Sequence, residues 1–129
     1  MLKYVAKEVG MWMNTLVLAY LGDAVYELYV REFLIDEGLC KVKDLQNSAI
    51  GYVSADAQSK KLDYLLDNNL LTNDEVDLVK RGRNAHGHKN KSTDINTYKR
   101  STGLEALIGY LYLNDKKRLD EVMKVVLSI

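Results

Sequence analysis

Proline is absent from the 129-residue chain, and cysteine occurs once, at Cys40. A single cysteine excludes an intramolecular disulfide framework and a thiolate metal cage within one chain, and its natural setting is a reducing cytoplasm. Net charge is lacking too: 18 Lys and Arg balance 18 Asp and Glu. No global attraction therefore draws the protein to nucleic acid or an anionic membrane, and any such attraction must come from local clustering. The first 13 residues hold no continuous apolar core ahead of a small-residue cleavage site, so they do not read as a secretory signal. Leu16 to Ile35 is long enough to span a bilayer, but Asp23, Glu27, Arg31 and Glu32 interrupt it, which predicts a buried helix with no membrane role. Internal repeats, low-complexity tracts and sustained apolar–polar alternation are missing as well.

What is present is helical spacing, recurring along a chain whose 47% apolar and 28% charged residues give an ordinary globular balance. The expectation is an all-α fold in one domain, residues 1–129. Asn14 is placed to cap a helix running to about Glu37, with Gly38 as its stop. Shorter helices are predicted over Val42 to Ile50 and Ser54 to Asp67, broken by Asn68-Asn69. Thr72-Asn73-Asp74-Glu75 matches a capping box and predicts a helix ending near Gly87. Another should contain Thr97 to Leu113, and Asn114-Asp115 should open the last, toward Leu127.

The first helix is apolar almost all round its wheel, through Leu16, Leu18, Leu21, Val25, Leu28, Val30, Phe33, Leu34 and Ile35. A small domain rarely covers such a helix on every face, so dimerisation is expected to supply the cover. The alternative is a central helix wrapped by the other five.

Asp23 and Glu105 each interrupt an apolar helical run, where a buried carboxylate is costly unless compensated, and a divalent cation is the obvious compensator. Asp23 and Glu27 share a helix face, and Gly22 suggests open space where a large ligand approaches the backbone. Thr102, Glu105, Gly109 and Tyr112 likewise share a face. Spacing leaves a second reading equally open: Gly22 and Gly109 permit close helix packing, and the acids cap or pair with Arg31 or Lys99.

Leu21-Gly22-Asp23-Ala24-Val25 resembles the signature of the ribonuclease III endonuclease domain, and Leu104-Glu105-Ala106-Leu107-Ile108-Gly109 resembles its second acidic motif. Leu18 to Glu27, Arg81-Gly82-Arg83-Asn84-Ala85 and Ser101 to Tyr110 further resemble the Mini-III subfamily, which consists of the endonuclease domain alone; no double-stranded RNA-binding domain is expected. The resemblance implies an all-helical homodimer cutting double-stranded RNA with Mg²⁺, one active site per strand, leaving 5′-phosphates and short 3′ overhangs. It makes Asp23 and Glu105 the metal-binding and catalytic residues. Carboxylates suit this hard cation, which can activate a water and offset charge on the phosphate. The wider ribonuclease III pattern has two more acids per site, where this chain has Ala19 and Thr102, a reduction the Mini-III pattern shares. A second tightly held metal is therefore in question, and the Thr102 hydroxyl and Glu27 are further candidates for the site.

RNA needs a positive surface, and residues 80–100 supply one: seven Lys and Arg against Asp94 alone, a formal charge of +6. Gly87 to Thr93 reads as a lysine-rich loop suited to phosphates and 2′-hydroxyls across the shallow groove of A-form RNA. An isolated charge run would by default be a solvated loop; within the resemblance, Arg83, Asn84, His86, Lys89, Lys91 and Lys99 are expected to contact RNA. His86 and His88 are better suited to phosphate contact or solvent than to zinc, and the tyrosines read as core or interface. The expected role is trimming of 23S ribosomal RNA precursor ends in the cytoplasm. The alternatives are a non-catalytic double-stranded RNA-binding dimer with the same fold and a purely structural helical dimer.

Overall fold

The computed structural model describes residues 14–85 and 94–129. Helix α1 spans Thr15–Asp36 and begins where Asn14 Oδ1 accepts from the Leu16 amide at 2.8 Å. It stops ahead of Gly38, whose φ of +97° suits glycine. Helices α2 (Val42–Val53) and α3 (Ala55–Asp67) are separated only by Ser54, which ends the first and caps the second by accepting from the Ala57 amide. Both halves of the capping box form at α4 (Asn73–Asn84): Thr72 Oγ1 accepts from Glu75 N, and Glu75 accepts from Thr72 N.

Helix α5 (Ile95–Asn114) starts earlier than Thr97 because Asp94 accepts from the Asn96 and Thr97 amides. Asp115 does the same for α6 (Lys116–Ser128) through the Arg118 amide. Helix α2 continues past Ile50 to Val53, and α4 ends at Asn84; Gly87 lies outside the described residues. There is no strand among the described residues, so the fold is all-α as expected.

The central helix is α5, which packs against α1, α4, α3 and α6. Ser101 to Leu104, Ala106 to Gly109 and Leu111 are all buried. Helix α1, the more apolar in sequence, buries only one stripe, through Leu18, Gly22, Val25, Tyr26, Val30 and Leu34. Its opposite face leaves Val17, Tyr20, Leu28 and Ile35 exposed, so the wrapped-helix alternative does not hold for α1.

Small residues let the backbones close in. A Cβ on Gly22 would collide with the Glu105 carbonyl and one on Gly109 with the Leu18 carbonyl, while one on Gly82 of α4 would lie 2.9 Å from Gly103 Cα of α5. The open space expected beside Asp23 at Gly22 is therefore filled by α5. Two polar ties hold the periphery. Arg118 of α6 grips both Glu75 oxygens at 2.8 Å and the Leu70 carbonyl, joining α6 to the start of α4. Buried Lys61 of α3 donates to the Val126 carbonyl at 2.8 Å and lies 4.7 Å from the Tyr52 ring centroid; burial pushes its pKa down.

Candidate active site

The α1–α5 crossing sets the site. Asp23 follows Gly22 in α1, and Glu105 is the α5 residue whose carbonyl meets Gly22, so two acids 82 positions apart are delivered to one place by backbone contact. An open cleft of about 430 Å³ is lined there by Asp23, Glu105, Ala19, Tyr20, Gln58, Tyr98 and Thr102, among others. Asp23 is exposed to it and Glu105 is half-buried. Burial pushes the Glu105 carboxyl up to about 8, helped by Asp23 within hydrogen-bonding reach and opposed by a hydrogen bond from Gln58. A cation bound between the two carboxyls would offset both the burial of Glu105 and its repulsion from Asp23.

Ala19 is buried, and Thr102 donates its hydroxyl to the Tyr98 carbonyl at 3.1 Å, so neither position supplies a carboxylate. Glu27 does not reach the cleft. It pairs with Arg31 and lines a separate groove with Leu34, Ile35, Val42, Leu45, Gln46 and Ile50. The cleft lies on the Leu16 and Ala19 side of Asp23, toward the helix N-terminus, whereas Glu27 is one turn the other way. Among the described residues no three His, Cys, Asp or Glu cluster around a point; the acids at hand are the pair.

Gln58, from α3, went unrecognised in the sequence. Its Nε2 donates to Glu105 Oε2 at 3.3 Å and to the Val53 carbonyl at 3.1 Å, while its Oε1 is buried with no protein partner. No spacing rule links α3 to the acids; only the fold brings it in. Val53 lines both the acid cleft and the Glu27 groove, and Tyr26, buried beneath, donates to the Tyr52 carbonyl at 2.6 Å. Tyr20 stands 85% exposed at the rim.

Of the expected RNA-contacting residues, Arg83, Asn84 and Lys99 come together with Asn96 and Arg100 around a second cavity of about 330 Å³, where the end of α4 meets the start of α5. Tyr98, Thr102 and Glu105 face the acid cleft from α5, and Asn96, Lys99 and Arg100 of the same helix line this second cavity. Arg100 is paired with Asp63, so it offers less free charge than its place in the basic run suggested. His86, Lys89 and Lys91 lie outside the described residues, as does His88.

The Ribonuclease III domain family matches residues 16–116, and the chain belongs to that family; it is an endoribonuclease by that membership. Among curated relatives, Mini-ribonuclease 3 of Symbiobacterium thermophilum is 51% identical over 111 residues, 84% of each chain. Mini-ribonuclease 3 of Staphylococcus aureus is 41% identical over 91% of this chain and 89% of that one. A crystal structure of a Fusobacterium nucleatum protein superposes with a TM-score of 0.76 at 28% identity, covering 91% of both chains.

Proposed function

We propose that the chain is a Mg²⁺-dependent endonuclease for double-stranded RNA, with Asp23 and Glu105 as its metal-binding and catalytic pair. The observation that carries this reading is the meeting of those two carboxyls in one open cleft. The residues present fit a hard divalent cation: two carboxylates side by side and the partnerless buried oxygen of Gln58 offer oxygen donors only. Held by Asp23 and Glu105, such a cation would supply Lewis acidity for activating water and offsetting charge on the phosphate.

The protein's own part is positioning. Asp23, exposed, is the acid that substrate meets first, while Glu105 is held from behind by Gln58 and the packed α5 backbone. Arg83, Asn84 and Lys99 gather donors for phosphates where α4 meets α5, contacts that read duplex shape more than sequence. The products carry 5′-phosphates.

The subunit is read as a single endonuclease domain acting as a homodimer. Val17, Tyr20, Leu28 and Ile35 are exposed on α1, and Ile35 lines one groove with exposed Val42 and Ile50 of α2, an apolar face that a second copy would cover. Among the described residues no helix is long and apolar enough to cross a membrane. Cytoplasmic action on the 23S ribosomal RNA precursor is what the Mini-III resemblance implies.

The test is cleavage of a long RNA duplex in Mg²⁺. Wild type should cut it, and Asp23→Asn and Glu105→Gln should each abolish cutting with helicity and assembly mass unchanged. Full activity in either variant removes the site assignment. Duplex binding without metal-dependent cutting in the wild type would favour the non-catalytic binding dimer.

A further inference from the structure

Gln58 is only 2% exposed, yet it lines the acid cleft. Its amide nitrogen carries two hydrogens, and both are committed, one to the Val53 carbonyl and one to Glu105 Oε2. Turning the amide over would set its oxygen against those two oxygens, so the network fixes its orientation. Oε1 is then left buried with no partner in the protein. A buried acceptor without a donor is costly, and folds that keep one usually complete it with an ion or an ordered water.

We propose that Gln58 is a positioning residue of the cation site: Nε2 holds the Glu105 carboxylate in place, and Oε1 accepts a hydrogen bond from a water carried by the divalent cation. The inference rests on the reading that Asp23 and Glu105 share that cation. Mg²⁺ gives up its waters reluctantly and usually keeps several, so an acceptor one water away from the carboxylates serves it without touching it. Where the wider family pattern places two further acids, this chain has Ala19 and Thr102. A neutral amide from a third helix adds support at the site without adding repulsion between carboxylates.

The test uses the full chain, with Mg²⁺ alone as the probe and no RNA. Calorimetric titration gives cation affinity, and melting with and without Mg²⁺ separates that from folding. Gln58→Met, apolar and of similar length, is expected to weaken Mg²⁺ binding about tenfold, whatever the lost hydrogen bonds to Val53 and Glu105 do to the metal-free melting temperature. Gln58→Asn, which keeps the amide chemistry but falls one methylene short of Glu105, is expected to weaken Mg²⁺ binding as well; it decides the matter if Gln58→Met does not fold. Unchanged affinity in Gln58→Met would reduce Gln58 to a pin for the Val53 carbonyl and overturn the inference, as would unchanged affinity in Gln58→Asn should Gln58→Met not fold. Asp23→Asn separates the two levels. If it binds Mg²⁺ as wild type does, the two-acid site is wrong and this inference falls with it. If it loses Mg²⁺ while Gln58→Met keeps it, only the role of Gln58 falls.

Discussion

Gly22 of α1 rests directly against the backbone carbonyl of Glu105 in α5. The residue before the first acid therefore touches the residue that carries the second, and the spacing of the carboxyls is set by main chain rather than by flexible side chains. A site built this way is as rigid as the helix crossing beneath it.

Gly22→Ala should consequently damage both fold and function. Its methyl meets backbone, which cannot swing aside, so a cost at or above the usual overpacking range of about 1–3 kcal/mol is expected in urea unfolding, with cleavage reduced alongside. Gly51 of α2 has nothing within 4 Å of an added Cβ. Gly51→Ala should instead be neutral or stabilise by up to about 1 kcal/mol. Equal responses at the two glycines would show that the close crossing is not what limits position 22.

Acid sensitivity should trace in part to Glu75. Burial pushes its carboxyl up, but hydrogen bonds from Arg118 and from the Thr72 amide outweigh that and hold it below its ordinary 4.5. A carboxyl lowered on folding adds stability that is present above pH 4.5 and lost as pH falls through the lowered folded value. Glu75→Gln should cost about 2 kcal/mol near neutrality, since it breaks hydrogen bonds to a charged partner. It should also flatten the fall in melting temperature below pH 4.5; an unchanged acid limb would show that Glu75 contributes nothing to it.

Binding of duplex RNA should depend on Arg83 and Lys99. Each replaced by Ala, in an Asp23→Asn background that leaves the duplex uncut, is expected to weaken binding and to lower the slope of log affinity against log salt by about 1. Arg100→Ala should do less, because Asp63 already neutralises that guanidinium. Fluorescence anisotropy across a potassium chloride series reads all three, and a wild-type slope in Arg83→Ala and Lys99→Ala would place the RNA elsewhere.

Self-association is open to a direct check. Leu28 and Ile35 are 56% and 58% exposed on the single chain, so Leu28→Asp with Ile35→Asp should leave helicity intact. Sedimentation should show the wild type at twice the chain mass and the double variant at the chain mass. A variant that keeps the wild-type mass would locate the contact on another face.

The helix ends at Asn14, Thr72 with Glu75, and Asp115 were legible because capping is local chemistry: one side-chain oxygen and an amide two or three residues on. The pairing of Asp23 with Glu105 was legible only through the resemblance of their flanking motifs. Spacing on its own left them equally able to be structural, and put Glu27 on their side when the fold puts it in another groove. The identity of the central helix was hidden for a different reason. Helix α5 carries Lys99, Arg100 and Glu105 and many small residues, so it looks less apolar than α1. It is Ser101, Thr102, Gly103, Ala106 and Gly109 that let its neighbours close in and bury it. Gln58 carried no signal at all, since its contact with Glu105 spans 47 positions and exists only once α3 is packed.

Val53 separates the acid cleft from the groove at Glu27, and its carbonyl is the anchor that Gln58 holds. One residue is thus a party wall between chemistry on one side and a surface open to contact on the other. Selection on either side has to respect the other: a change that reshapes the groove reaches Glu105 through the hydrogen bonds that tie Val53 to Gln58 and Gln58 to Glu105, even when both acids are left untouched.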